Sequence, residues 1–355
     1  MLTTTIDLDA IAHNTRRLRE QTTAELMCVV KADAYNHGVE RCVPVMEANG
    51  ADAFGVATFA EARRVCELTT QPVLAWLWDP HEELPAGVDV GVPSFTHLHS
   101  LIDAPTAPTV YLKVDTGMHR SGIDEVRWQE AFELALDAQR RGKLEVAGLM
   151  THLSCADDPS DPYTEQQAAA FRRAIAQARQ VGLEVPRNHA ANSPATWTRP
   201  DLHFDMVRPG VSLYGLEPVD GLDHGLKPAM TWSAPVVTVK PMRAGEATSY
   251  ARTWEAPADG FTAVIPAGYA DGVQRSWQGA VEVDIAGRTY QQVGRVSMDQ
   301  IVVWLGDNDA DVTAGDEAVI FGDATALAKR AGTINYEVVC APRGRTTRTY
   351  IGEGK

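Results

Sequence analysis

The feature that most restricts the fold of this chain is an alternation. Eight short apolar runs, at 26–30, 53–57, 73–77, 88–92, 110–114, 146–150, 188–191 and 206–207, are separated by stretches of helical period. Runs of this length, apolar on both faces and parted by helices, predict strands of a parallel sheet. A further strand is expected at 4–8, leading into a helix from Asp9 with Ile11, Asn14, Thr15 and Leu18 inward. Trp128, Phe132, Ala135 and Leu136 mark another helix, and Thr164-Glu165-Gln166-Gln167 offers a capping box for the next. Eight strand signals fit a (β/α)8 TIM barrel, although the weak run at 188–191 leaves a nine-stranded or doubly wound sheet open. After Tyr214-Gly215-Leu216 the texture changes. A Gly-, Pro- and Asp-rich stretch at 217–228 reads as a linker. Short β-type runs follow at 235–239, 261–265, 281–285, 292–296, 301–304 and 318–321, with a helical piece at 325–331. The expected organisation is a barrel over 1–222 and an all-β C-terminal domain over 223–355.

Charge narrows the partners. A formal net charge of -15 argues against nucleic acid and anionic membrane. The opening Met1-Leu2-Thr3-Thr4-Thr5 has neither a basic segment nor an apolar core, so a secretion signal is not expected, and no apolar run has membrane-spanning length. Cysteines 28, 42, 66, 155 and 340 are scattered without close pairs, which suits reduced thiols and a cytoplasmic location. His97-x-His99 lacks further metal ligands nearby and is taken as surface loop, with no metal site.

The chemistry gathers where strands end, as a barrel requires. The run 26–30 stops at Lys31, and Tyr35, His37 and Gly38 follow at once. A lysine at a strand mouth is partly desolvated, which favours the free amine and a Schiff base. His152, Asn192-Ser193 and Arg208 stand after the sixth, seventh and eighth runs. Asn192-Ser193 before a helix start, and Arg208-Pro209-Gly210-Val211, would present N–H groups to an anion, the usual phosphate position in barrels.

Val29-Val30-Lys31-Ala32-Asp33-Ala34-Tyr35-Asn36-His37-Gly38 closely resembles the pyridoxal-phosphate lysine segment of alanine racemases, V-V-K-A-D-A-Y-G-H-G, with Asn36 in place of Gly. The resemblance continues in order through Lys113-Val114-Asp115-Thr116-Gly117-Met118-His119-Arg120, Thr151-His152, His189-Ala190-Ala191-Asn192-Ser193 and Val207-Arg208-Pro209-Gly210. In the C-terminal part it includes Gly245–Tyr250, the 266–272 segment around Tyr269, Val293-Gly294-Arg295-Val296-Ser297-Met298-Asp299 and Thr333-Ile334-Asn335-Tyr336-Glu337.

The resemblance implies a homodimeric, fold-type III enzyme that interconverts L- and D-alanine, supplying D-alanine for peptidoglycan. Lys31 would hold pyridoxal 5'-phosphate as an internal aldimine and then serve as one base. Tyr250, supplied by the partner subunit, would be the other, on the opposite face of the external aldimine. A phenol in water titrates near ~10, so such a base needs help, which His152 and Arg208 would give. Arg208 would face the pyridine nitrogen and His152 the ring. Tyr35, Ser193 and Tyr336 would bind the phosphate by hydroxyl and Gly210 and Val211 by backbone, with Asn192 beside them. Arg120 would take the phenolic oxygen and the substrate carboxylate, with the Met298 N–H of the partner subunit as a second carboxylate donor. Lys113, often carbamylated in the family, Tyr269 and Asp299 would support the site.

Plainer readings compete: Tyr250 and Tyr336 as strand-pairing aromatics, Met298 as core, and Lys113 in a buried ion pair with Asp115 or a nearby carboxylate. Ala251 stands where the family has Gly, His119 where it has a small residue, and Arg345-Thr346-Thr347-Arg348 where it has R-V-P-R, away from the named chemistry. Rival functions are a broad amino-acid racemase, a decarboxylase of the same fold and a non-catalytic pyridoxal-phosphate-binding protein. The presence of both Lys31 and Tyr250 and of residues 230–355 counts against the last.

Overall fold

A computed structural model describes residues 1–355 in two compact units, Ile11–Leu226 with Lys355, and Met1–Ala10 with Lys227–Gly354. In the first unit, strands β2 (Glu25–Val29), β3 (Ala53–Val56), β4 (Val73–Ala75), β5 (Val88–Val92), β6 (Thr109–Lys113), β7 (Glu145–Met150) and β8 (Met206–Val207) form a parallel sheet in the order β7-β6-β5-β4-β3-β2-β8. The gap between β7 and β8 is filled by the run expected as the seventh strand. Arg187 and His189 donate backbone bonds to Ala147 and Leu149, and Asp205 and Arg208 donate to Asn188 and Ala191 on the other side. Residues 187–191 therefore close the barrel, although only His189 is a formal bridge residue. The interior packs Met27, Ala53, Leu74, Tyr111, Ala147, Met150 and Met206, a filled core as small barrels require.

Helices α1 (Leu8–Gln21), α2 (Val39–Ala48), α3 (Phe59–Cys66), α4 (Phe95–Ile102), α5 (Trp128–Arg140), α6 (Tyr163–Gln180) and α7 (Ser193–Thr198) lie between the strands in sequence. Ile11, Asn14, Thr15 and Leu18 are all fully buried on α1. Helix α6 corrects the capping expectation. It begins two residues early, after Pro162, where Asp161 accepts the Tyr163 N–H, so Thr164 caps nothing. Proline's fixed φ suits a helix start, and the aspartate removes the need for the threonine. His97 and His99 are on α4, not in a loop. The His97 ring bonds to the Ser94 hydroxyl and the Trp78 carbonyl.

The second unit is a nine-stranded sheet. Its strands are β1 (Thr3–Asp7), β9 (Met230–Pro235), β10 (Thr238–Met242), β13 (Gly260–Ile265), β14 (Glu282–Ile285), β15 (Arg288–Val293), β16 (Ile301–Gly306), β17 (Glu317–Phe321) and β18 (Thr347–Ile351). They run in the order β10-β13-β16-β15-β14-β17-β9-β1-β18. A small pair, β11 (Ala247–Thr248) with β12 (Trp254–Glu255), and helices α8 (Ala324–Ala331) and α9 (Asn335–Cys340) complete it. The opening strand belongs here rather than with the barrel, paired antiparallel with β9 and parallel with β18. A boundary at 222/223 with residues 1–10 in the barrel thus differs from the contact division, which falls after Ala10 and after Leu226. The run expected as one strand at 235–239 spans the break between β9 and β10.

Candidate active site

Lys31 stands just beyond β2, half-buried, and the next turn of chain is left-handed. Ala32, Asp33, Ala34, Tyr35 and Asn36 have φ of 53, 57, 56, 51 and 66°. For L-residues this conformation costs roughly 1–2 kcal/mol each, so the surroundings must impose it. They do so from three sides. The Glu61 carboxylate, part of the capping box of α3, accepts the Ala32 N–H at 2.7 Å and the Ala57 and Thr58 N–H groups with its other oxygen. Asp33 accepts the Val39 N–H at 3.0 Å and pairs with Arg64 at 3.1 Å. The Tyr214 ring packs on Tyr35 at 4.8 Å and on His37 at 4.5 Å, while its hydroxyl donates to the Val29 carbonyl at 2.9 Å. Asn36 occupies a position that needs positive φ, which asparagine tolerates better than most residues.

Tyr35 is buried, and its hydroxyl reaches Gly210. A Cβ on Gly210 would lie 2.4 Å from that oxygen, so only glycine lets hydroxyl and backbone share the spot. The Gly210 N–H donates to the Ser193 hydroxyl at 2.8 Å. Ser193, itself buried, opens α7, and the Asn192 side chain caps that helix by accepting the Ala195 N–H. Tyr35, Ser193, Gly210 and Val211 thus converge from the first, seventh and eighth strand ends of the barrel.

Beside them Arg208 is buried with no carboxylate partner. Its guanidinium donates to His189 Nδ1 at 2.6 Å and to the Thr151 carbonyl at 2.6 Å, and burial lowers its pKa to about 10. Guanidinium has no acceptor, so His189 Nδ1 must accept and its proton lies on Nε2, which is buried without a hydrogen-bond partner; the Tyr111 ring packs edge-on against the imidazole at 4.8 Å. His152 is held neutral. Burial first, then Arg208, Arg120, Lys113 and Lys31, push its pKa down to about 3. Lys113 is buried at the end of β6. Burial, Arg120 and Arg208 lower it to about 8, against a smaller opposing pull from Asp115. The expected alternative of a Lys113–Asp115 ion pair is not formed. Asp115 instead accepts the Gly117 and His119 N–H groups and meets the His119 ring at 3.3 Å. His119 has φ 53°, the conformation that favours a small residue there.

Four cations around a neutral histidine, together with hydroxyl and glycine donors, make a site that wants an anion. The buried guanidinium offers donors to an uncharged ring nitrogen. The residues fit a phosphorylated pyridine.

The remaining expected residues belong to the other unit. Tyr250 opens a single 3-10 turn and is 70% exposed, with Ala251 at φ 60°. Tyr336 lies on α9, so neither tyrosine is a strand-pairing aromatic. Met298 is 52% exposed, not core, in a turn that carries Asp299. The Tyr269 N–H bonds to Ser297 O at 3.0 Å and the Ala270 N–H to Met298 O at 3.0 Å, which ties these two turns together. Four residues now bear on the site without having been singled out in the sequence: Glu61, His189, Tyr214 and Arg345. His189 stood inside a recognised motif, and Tyr214 inside the segment that ended the barrel. Arg345 stood in the segment matched to R-V-P-R and expected to lie away from the chemistry, whereas its guanidinium reaches Asp299 beside Met298. Glu61 gave no signal.

A barrel with a lysine at its mouth beside a cation-lined anion cradle, in a chain with a separate β-rich unit, defines a class: barrel enzymes that work with pyridoxal phosphate. The comparisons with known proteins narrow it. Residues 6–218 match the alanine racemase N-terminal domain and residues 229–350 the alanine racemase C-terminal domain. The chain is 60% identical to an alanine racemase of Corynebacterium efficiens, over 100% of both. Its fold superposes on the crystal structure of alanine racemase from Corynebacterium glutamicum with a TM-score of 0.90 at 53% identity, covering 99% of each chain. Against the alanine racemase of Streptomyces lavendulae the TM-score is 0.95 at 37% identity, covering 99% and 97%. The chain belongs to the alanine racemase family, pyridoxal-phosphate-dependent isomerases that interconvert L- and D-alanine.

Proposed function

We propose that this chain racemises alanine as a homodimer, with Lys31 of one subunit and Tyr250 of the other as the two bases. Pyridoxal phosphate, when bound, makes the α-proton of an attached amino acid acidic. Racemisation then needs one group to remove that proton and another to deliver one from the opposite side. Lys31 Nζ, fixed by the left-handed turn, serves one face. Tyr250, exposed on its own unit, is free to serve a site elsewhere, which supports its action in a partner. Arg120 and the Met298 N–H hold the substrate carboxylate. Tyr35, Ser193, Gly210, Val211 and Tyr336 hold the phosphate, and Asn192 fixes the helix start beside them. His152, kept neutral, can accept a hydrogen bond and relay a proton without carrying a charge of its own.

The observation that carries this reading is Arg208, a buried cation with acceptors and no carboxylate around it. It can donate a hydrogen bond to the cofactor ring nitrogen without surrendering a proton, which keeps that ring a weak electron sink. Lys31 or Tyr250 would then return a proton to the α-carbon before the amino group could be lost. Lys113 beside Arg120 orients it, as a carbamate in this reading. No helix is long and apolar enough to cross a membrane, and the enzyme would supply D-alanine for cell-wall peptidoglycan from the cytoplasm.

The test is complementation. Lys31→Ala and Tyr250→Phe should each lose racemisation of L-alanine when assayed alone by chiral chromatography. Mixed after mild dissociation, they should regain about one quarter of the unmodified activity, since half the dimers would be mixed with one intact site each. Retained activity in either single variant, or no recovery while mixed dimers are demonstrable by mass spectrometry, would overturn the assignment. L-serine and L-lysine in the same assay report substrate breadth; turnover comparable to alanine would make the enzyme a broad racemase.

A further inference from the structure

Near the C-terminus three turns meet in one network. Asp271 has no exposed side-chain surface, yet its pKa is lowered. Burial works against ionisation and is more than offset by Arg345 and by the N–H groups of Gly268 and Arg345. Arg345 grips this carboxylate with two prongs, Nε to Oδ1 at 2.8 Å and Nη2 to Oδ2 at 2.7 Å. Its third nitrogen, Nη1, reaches Asp299 Oδ1 at 2.8 Å. Asp271 also accepts the Gly268 N–H at 3.1 Å. Gly268 is pressed so closely on the Met298 turn that a Cβ there would lie 2.2 Å from the Met298 carbonyl oxygen. Arg345 therefore joins both ends of the Tyr269 and Met298 pairing, through Asp271 on one turn and Asp299, next to Met298, on the other.

We propose that Arg345 is a positioning residue for substrate binding: its guanidinium, bridging Asp271 and Asp299, sets the orientation of the Met298 N–H toward the substrate carboxylate. The proposal rests on the reading that this N–H receives that carboxylate. The physical case is that a backbone donor in a half-exposed turn has no orientation of its own. Here the turn is fixed by a planar fork that two separate carboxylates must satisfy together. The ammonium of a lysine is a point charge and cannot span both in that plane. Proper orientation of a single donor matters because small misplacements of a binding group cost far more than their distance suggests.

The probe is propionate, alanine without its amino group, used as a competitor on the cofactor-loaded enzyme. Arg345→Gln should raise KM for L-alanine and Ki for propionate together, by about tenfold, and by more than kcat falls. Asp299→Asn leaves the Asp271 pair intact, so the fold is spared, and should give the same parallel rise at about threefold. Arg345→Lys should recover part of the thermal stability lost by Arg345→Gln without recovering KM. Unchanged KM and Ki in Asp299→Asn, with cofactor bound, would overturn the proposal. So would a fall in melting temperature and kcat across all three variants with KM untouched, which is the pattern of a purely structural clamp. Propionate that fails to compete in the unmodified enzyme, or whose Ki ignores Arg120→Ala, would overturn the carboxylate reading itself and be distinguishable on that ground.

Discussion

A guanidinium in a dry site without a carboxylate is held only by what its donors can reach. For Arg208 these are chiefly His189 Nδ1 and the Thr151 carbonyl, each at 2.6 Å, with the Ala190 carbonyl at 3.4 Å. Arg208→Lys cannot serve both, so one buried acceptor is left unpaired, and chemical denaturation should show a loss of about 1–3 kcal/mol. The neighbouring histidines set a second expectation at this scale. His152 is pushed down to about 3 and His189 is also lowered by burial and adjacent cations, whereas an unfolded histidine titrates near ~6.5. Between those pH values the unfolded chain binds more protons, so stability falls as pH drops from neutral through that window. Asp89 opposes this. Burial raises it to about 6, which makes the folded state bind more protons over part of the same range. His203, also lowered by burial, adds to the loss, and three histidines against one carboxyl mean that the urea midpoint of the cofactor-free protein should be lower at pH 5 than at pH 7.5. An unchanged or higher midpoint at pH 5 would contradict the neutral assignment. The residues legible in the sequence were those with a motif around them: Lys31, Tyr35, Ser193 and Arg208. Arg345 also stood in a matched motif, but its role was not legible, because the carboxylates that give it meaning lie 74 and 46 positions away.

At the scale of elements, the left-handed turn after Lys31 shows how a strained segment is held by structure that looks unrelated to it. One carboxylate, Glu61, both caps α3 and fastens the first residue of that turn. Glu61→Ala should therefore cost more than an ordinary cap, about 2 kcal/mol, and also lower kcat, because Lys31 loses its neighbour's anchor. Equal kcat in the variant, with the stability loss confirmed by denaturation, would separate the cap from the turn. Ala251 is the mirror case: at φ 60° with a Cβ, it should gain up to about 1 kcal/mol on replacement by glycine, read as a higher thermal midpoint. Most barrel strands were readable because they are apolar on both faces. The seventh was weak because residues 187–191 satisfy their backbone bonds irregularly, with a single bridge residue. The pairing of β1 with β9 and β18 was not readable, since nothing local in 3–7 reports a partner more than two hundred positions away.

At the scale of the whole molecule the charge is uneven. A chain of net charge -15 keeps Lys31, Lys113, Arg120 and Arg208 close enough to act on one histidine. Cations so assembled repel one another, and without an anion that repulsion is borne by the fold. Removing the cofactor should thus lower the melting temperature, and inorganic phosphate should restore part of the loss through the Tyr35, Ser193 and Gly210 cradle. Phosphate also stabilises proteins in general by exclusion from their surface, so the gain alone proves nothing. The discriminating comparison is Ser193→Ala in the cofactor-free state. This removes the hydroxyl that now accepts the Gly210 N–H, and with it one donor to the anion, while leaving the rest of the surface unchanged. General exclusion would raise both proteins equally. A gain in the unmodified protein that saturates at millimolar phosphate and shrinks in the variant places the anion in the cradle. Equal, linear gains in both would mean that the cation cluster is neutralised elsewhere, and that the phosphate assignment to these residues is wrong.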